Sequence, residues 1–495
     1  MHHYPSMFSH VKEDSIAGVV VFLVALPLCL GIAIACGVPP VSGLVAGVVG
    51  GLLVPWVSRS PLSVSGPAAG LTSIVLAEVT HLGGIPPFLA AVIIGGGLQV
   101  TFGVLRLGRF AALAPSAVIK GMLAAIGITI VMVQLPIALG VEGGLTKVMN
   151  GVHAGSLILA GLSFLILYSW KSTPLARYKF VSPALVVVIV ASALAHWFRT
   201  IPALALHPAQ FVSVPLGGPG ALFAALPRPD FAAFASPAVW TAAATLAIVA
   251  SIETLLSLQA VDRLDPLKRH SPPDRELMAQ GVANAVSGLL GGLPVTAVIV
   301  RSGANVAAGA VERMSTLLHG ALLLVSVMTA GALLNAIPLA ALAAVLIQVG
   351  LNLCKPALFS TQAKLGWPQL LPFAFTILAV LYLNLLEGVV VGIFVGIGFV
   401  LYENSRRAVV MDRHDDGVLR MRFRRDGTFM SKPSIISALE EVDDGETVII
   451  DGTGEYVDHD IKELLATFIE DAHHRNITVS VIGINLTLAR VGGGH

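Results

Sequence analysis

The sequence predicts an α-helical polytopic membrane protein of fourteen transmembrane segments in a seven-plus-seven inverted repeat, followed by a small soluble α/β domain. Three observations carry this reading: the apolar bulk of the chain, a jump in charge density near its end, and matching Gly/Pro breaks in the two halves. Of 495 residues, 55% are hydrophobic and 12% charged, and the mean hydropathy is +0.85. Soluble domains carry about 25% charge, whereas a hydrocarbon layer of roughly 30 Å demands repeated apolar stretches of about 20 residues. A soluble enzyme is thereby excluded. A net charge of +1 gives nucleic acid no basic face to bind. The opening MHHYPSMFSHVK lacks the layout of a cleavable signal, so the first span is expected to be retained. Cys29, Cys36 and Cys354 match no zinc or disulfide spacing and read as small hydrophobes, so neither a metal nor a cofactor is expected.

Up to Arg407 the chain holds 21 Lys/Arg and 13 Asp/Glu, whereas its last 88 residues hold 9 and 16. A soluble domain is therefore expected at 417–492, after an N-terminal segment 1–14 and a membrane domain 15–407. The apolar runs fall at 15–36, 41–57, 68–80, 86–105, 117–138, 152–170, 181–198, 238–258, 276–290, 295–310, 315–335, 338–353, 369–386 and 388–403.

Retained cations mark the cytoplasmic side. With the N-terminus inside, the inner loops carry Lys12, Arg59, Arg106, Arg109, Lys171, Arg177, Lys179, Arg263, Lys268, Arg269, Arg275, Arg313, Lys355, Lys364, Arg406 and Arg407, against Lys147, Arg199 and Arg228 outside. One missed span would scramble that alternation downstream. Both termini are expected in the cytoplasm.

The first repeat runs over about 15–198 and the second over about 238–403, with breaks near Pro67 and Pro294 separated by 227 residues. An odd number of spans per repeat inverts the second copy, and short Gly/Pro-interrupted segments at matching places point to a transporter binding site. Those places read Ser63-Val-Ser-Gly-Pro-Ala-Ala-Gly70 and Gly291-Gly-Leu-Pro-Val-Thr-Ala-Val-Ile-Val-Arg-Ser-Gly-Ala-Asn305. Each is expected to be a short extended stretch followed by a half-helix. Free N–H groups and positive helix ends converging in mid-membrane favour an anion. Arg301, placed about two turns into the second half-helix and about 9 Å from its start, adds a full charge. Two roles are open to it: anion binding, or a structural ion pair with Glu253, the one acidic residue read as deep in a span. Ser257, one turn after Glu253, offers an oxygen to a coupling cation or packs as a helix hydroxyl. Gly43, Gly47 and Gly51 read as a close-packing helix face.

Ser63 to Ala69, Pro294-Val-Thr-Ala297 with Arg301-Ser and Asn305, and the opening span Ala25-Leu-Pro-Leu-Cys-Leu-Gly-Ile-Ala33 together resemble the SulP family of anion transporters, the solute carrier 26 kin, over nearly the whole chain. The resemblance implies a core domain of spans 1–4 and 8–11 and a gate domain of spans 5–7 and 12–14. It places substrate between half-helices 3 and 10, lined by Leu28, Ile32, Ala68, Ala69, Val300 and Arg301, with Glu253 and Ser257 serving the coupling ion. Some relatives carry a glutamine, an aromatic and a serine where this chain has Leu28, Ile32 and Val300, which shifts recognition toward backbone N–H groups. It further implies that 417–492 is a cytoplasmic STAS domain: Leu419 to Phe423, Thr447 to Ile450 and Thr478 onward read as strands, Ile461 to His474 as a helix, and Asp451 and Asp458 match its acidic positions. His459 or Asp460 stands where soluble STAS regulators carry a phosphorylated serine.

The expected function is elevator-like secondary transport of bicarbonate or sulfate, coupled to H+ or Na+, across the bacterial inner membrane. The partners implied are the anion, the lipid bilayer, a second copy of the chain and, through the STAS domain, a cytoplasmic protein such as carbonic anhydrase. The competing readings are a nucleobase-type proton symporter of the same fold and a membrane anchor or sensor signalling through its tail.

Overall fold

The computed structural model describes residues 7–108, 115–141, 151–174, 182–216, 218–383, 385–406, 409–413, 418–424 and 426–486. Of the orienting loop cations, Arg109, Lys147, Arg177, Lys179 and Arg407 lie outside them, as do 1–6 of the N-terminal segment and 417 and 487–492 of the expected soluble domain.

The helices run α1 (Val11–Ala35), α2 (Pro40–Val57), α3 (Thr72–His81), α4 (Ile85–Val104), α5 (Ser116–Ala138), α6 (Ala154–Ser169), α7 (Pro183–Phe198), α8 (Gly218–Ala225), α9 (Pro237–Leu264), α10 (Pro273–Leu289), α11 (Ile299–Ala308), α12 (Met314–Thr329), α13 (Gly331–Leu334), α14 (Leu339–Leu353), α15 (Pro356–Lys364), α16 (Trp367–Tyr382) and α17 (Leu385–Arg406). Strand β1 (Ser65–Pro67) precedes α3 and β2 (Val295–Ala297) precedes α11. Among the described residues, six helical segments are long and apolar enough to cross a membrane, and five further apolar helices are shorter. At 1.5 Å per residue the 16-residue helices α6, α7, α12 and α16 reach about 24 Å.

The chain divides into two compact units, one of residues 1–362 with 373–390, the other of 363–372 with 391–495. In the first, α4 packs on α9 and α10, α2 on α1, α10 and α12, and α14 on α5, α6 and α7. Glycine makes the closest of these approaches possible. A Cβ on Gly96 of α4 would stand 2.6 Å from Gly281 O of α10, and one on Gly127 of α5 would stand 2.5 Å from Gly350 O of α14. The column Gly43, Gly47, Gly51 does lie at such a contact: added Cβ atoms would meet Cys29 O at 2.1 Å, Cys29 Sγ at 2.7 Å and Gly320 Cα at 2.6 Å.

The second unit holds a four-stranded sheet, β3 (Val409–Arg413), β4 (Val418–Phe423), β5 (Thr447–Asp451) and β6 (Thr478–Ile482), in that spatial order. The β3–β4 pair is antiparallel, the other two parallel. With helices α18 (Lys432–Glu440) and α19 (His459–His474), it buries Leu419, Met421, Phe423, Val448, Ile450 and Leu465 in one apolar core. Alternation of buried and exposed residues along β4 matches a sheet with one covered face. Strand β3 and helix α18 escaped the sequence reading. Asp458 caps α19, its side chain accepting the Ile461 N–H at 3.0 Å.

Candidate anion site

Two short strands meet in the first unit. β1 and β2 pair antiparallel, Ser65 with Ala297, Gly66 with Thr296 and Pro67 with Val295. From this crossing the chain turns away twice, through a 3-10 turn at Ala69–Leu71 into α3 and directly into α11. The strands are tied down by side chains. Asn284 of α10 donates to Val295 O at 3.0 Å and accepts the Val295 N–H at 2.5 Å, and Gln280 donates to Ser65 Oγ at 2.6 Å. Thr254 Oγ1 of α9 accepts the Ala297 N–H at 3.3 Å, and Ser302 Oγ of α11 accepts the Val64 N–H at 2.9 Å.

The α11 N-terminus is left open. Its first intrahelical bond runs from Ser302 N–H to Val298 O at 3.1 Å, so the N–H groups of Ile299, Val300 and Arg301 have no acceptor within the helix. Arg301 lies in the first turn of α11, because 295–297 is strand and the helix starts only at Ile299. The expected depth of two turns is thus corrected. Pro67 ends β1 and Pro294 precedes β2, so neither proline opens a half-helix.

The Arg301 side chain is 1% exposed. It reaches back over the strands, donating from Nη2 to Pro67 O at 3.2 Å, while Nη1 has no partner among the described residues. A Cβ on Gly66 would stand 2.2 Å from that Nη1, so only glycine lets the guanidinium lie on β1. Cys29 of α1 lies beside it.

Glu253 of α9 goes elsewhere. Its carboxylate sits at the start of α3, facing the Gly70 N–H, where a Cβ on Gly70 would stand 2.4 Å from Oε1. Oε2 has no partner. The structure therefore contradicts the ion-pair role: no Arg301–Glu253 salt bridge occurs among the described residues. The two do not meet because each is drawn to backbone groups of the other half.

Between these groups lies a cavity of about 90 Å³, room for several waters or a small anion. Leu28, Ile32, Ala69, Glu253, Ser257, Val300 and Arg301 all line it. Ala68 does not. It is buried one residue behind, its carbonyl accepting the Leu71 N–H. The opposite wall is apolar, from Met122, Leu123 and Ile126 of α5 with Val349 and Leu353 of α14.

Glu276 was missed as a buried acid because its run was read as starting at that residue. It is 0% exposed, accepting from Ser58 Oγ and, at 2.8 Å, from Gln280 Nε2. Beyond the helix ends, Arg269 joins Asp265 at 2.7 Å and Glu312 at 2.9 Å. Burial would raise Asp265, but its bonds from Arg269 and Leu267 outweigh that and hold it below the ordinary carboxyl range. Burial pushes Glu312 up. Asp14 Oδ1 accepts the Val311 and Glu312 N–H groups at 2.8 and 2.9 Å. No group of three or more possible metal ligands occurs among the described residues.

The chain is similar to known transporters. The profile of the sulfate permease family matches residues 11–371. The putative sulfate transporter YvdB of Bacillus subtilis is 26% identical over 83% of this chain and 77% of its own length. The solved transmembrane domain of a cyanobacterium bicarbonate transporter, BicA, is 26% identical, with a TM-score of 0.66 over 78% of this chain and 98% of that one. The structure of SLC26A9, 16% identical, shares the fold at a TM-score of 0.78 over 97% of this chain and 86% of its own.

Proposed function

Because the chain belongs to the sulfate permease family, SulP, a family of membrane transporters of anions, we propose that it is a secondary transporter of a small monovalent oxyanion, bicarbonate rather than sulfate. The observation that carries this is the cavity itself, where one arginine and three free N–H groups of α11 face a wall of leucine, isoleucine, valine and methionine. Arg301 and Glu253 cancel in formal charge, leaving the helix ends to attract the ligand. A dianion would bring two charges beside Glu253 and, with Val300 in place of a hydroxyl, find few donors for its larger desolvation cost. A monoanion meets a smaller penalty on both counts.

In this reading fourteen spans form the inverted repeat, and the strand-paired half-helices α3 and α11, flanked by α1 and α9, travel as a core against a gate containing α5 and α14. The smooth apolar gate wall suits such sliding, because no hydrogen bond need break as the site passes. Glu253 carries the coupling proton: one oxygen is unpartnered and no cation pairs with it among the described residues, so a proton is the smallest charge that neutralises it as the site crosses the membrane. Ser257 assists at the cavity edge. The segment 417–492 of the second unit serves as the STAS domain, cytoplasmic with the N-terminus, and as the place for a protein partner such as carbonic anhydrase; the transporter works as a homodimer in the bacterial inner membrane.

The test is uptake by proteoliposomes of the whole chain. Saturable [14C]bicarbonate uptake, stimulated by an inward proton gradient and resisting a tenfold excess of sulfate, is expected. Sulfate uptake of equal efficiency would overturn the monoanion reading, and dependence on sodium at fixed pH the proton assignment.

A further inference from the structure

Outside the cavity lining, α12 carries a histidine that the transport reading leaves unused. His319 is 0% exposed, and both its ring nitrogens lack a partner among the described residues. A neutral imidazole offers one donor and one acceptor, so two buried polar atoms are left unsatisfied, which is costly if it stays so. The nearest explanation is the other orphan in the region, Arg301 Nη1, which is equally buried and without a partner.

The packing brings the two together. One turn before His319, Thr316 Oγ1 donates to Ser63 O at 3.3 Å, so this face of α12 lies on the segment leading into β1. His319, three residues on, shares that face, and the guanidinium lies over Gly66 and Pro67 of the same segment. Arg301 lies within electrostatic range of the ring. The close fit of α2 against α12, with Gly51 on Gly320, removes side-chain bulk from this neighbourhood.

We propose that His319 is a positioning residue for Arg301: its unprotonated ring nitrogen accepts, through one enclosed water, the Nη1–H that Pro67 O does not take, and so fixes the guanidinium over β1 with its charge facing the anion. The inference rests on the proposed site and adds to it a specificity element outside the cavity lining. Without that acceptor the guanidinium keeps one strand contact and swings, which weakens anion binding more than it slows the transport cycle.

The experiment compares His319→Phe, which keeps the ring volume without an acceptor, and His319→Gln, which restores an amide, in bicarbonate uptake by the full chain, each in the wild-type and the Arg301→Lys background. Phenylalanine is expected to raise KM about tenfold with Vmax within twofold, and glutamine to recover KM to within threefold. In the Arg301→Lys background the phenylalanine effect should shrink below twofold. An unchanged KM in His319→Phe, or glutamine as damaging as phenylalanine, overturns the proposal while leaving the transport reading intact. Absence of saturable bicarbonate uptake in the wild type, or no effect of Arg301→Lys, overturns that reading and this one together. Should His319→Phe fail to fold, 15N-histidine NMR of the wild type decides: a ring resonance, assigned by its loss in His319→Gln, must shift on adding bicarbonate and in Arg301→Lys, and a static resonance overturns the proposal.

Discussion

The two half-helix starts share one construction and use it differently. β1 with α3 and β2 with α11 are each a three-residue strand feeding a ten-residue helix. Yet the α3 start already faces a carboxylate, Glu253, whereas α11 keeps its leading N–H groups free and brings a guanidinium. The pair is nearly symmetric in backbone and opposite in charge. In the proposed cycle one end attracts the anion, and the other holds the carboxylate that takes up the proton. Removing either charged side chain should therefore erase a different half of the behaviour.

The largest effect is expected from Arg301→Ala, which removes the sole cation lining the cavity among the described residues. Bicarbonate uptake should fall at least a hundredfold, about 3 kcal/mol at 1.4 kcal/mol per tenfold, while size-exclusion behaviour stays that of folded protein, because no ion pair with Glu253 is broken. Unfolding of the variant would show that the guanidinium's bond to Pro67 O is structural first.

Glu253→Gln is next. Glutamine mimics the protonated acid and keeps an oxygen for the Gly70 N–H, so stimulation by an inward proton gradient should vanish while anion exchange persists within about threefold. Loss of exchange as well would mean that the carboxylate holds the α3 start in shape, and the two ends would then differ less than their charges suggest.

The glycines sharpen the comparison. A Cβ on Gly66 would displace Arg301 Nη1, and one on Gly70 would displace the Glu253 carboxylate. Gly66→Ala should raise KM about tenfold with the proton dependence kept. Gly70→Ala should blunt the proton dependence and move KM by less than threefold. Measuring both against pH separates the ends without removing either charge, and identical profiles would refute their division of labour.

Much of this was legible in the residues. Pro67 and Pro294 with their glycines announced the two breaks, and an arginine in an apolar run announced a cavity, because neither is tolerated in hydrocarbon without a partner. What sequence missed is where side chains bend. Arg301 and Glu253 do line one cavity, but sequence distance along a helix says nothing about which backbone group a long side chain finds. Glu276 and His319 escaped for a related reason: a polar residue near a helix end looks solvated, and a lone histidine among leucines looks like filler, until packing shows each sealed from water. The start of α11 was misjudged because Val295 to Ala297 suit strand and helix equally by pattern.

The smallest effect on transport should come from the cluster that steadies only the α11 half from outside the spans, where Arg269 bridges Asp265 and Glu312 and donates to Val311 O at 2.9 Å. Arg269→Ala leaves two largely buried carboxylates without their cation, and should cost on the order of 3 kcal/mol of stability at neutral pH with KM changed less than twofold. The pH dependence carries the sign. Asp265 is held low in the fold, so its contribution is present above the unfolded value near 4 and fades as pH falls through its folded value. Glu312 is raised, so its charge costs stability at neutral pH, and that cost is relieved as pH drops toward its unfolded value. The wild-type melting temperature should therefore rise slightly on mild acidification and fall below about pH 4. In Arg269→Ala both carboxyls lose the cation that lowers them, so the deficit should be widest at neutral pH and should close as pH falls and the acids take up protons. A deficit independent of pH between 7 and 4 would show that Arg269 acts through its bond to Val311 O alone.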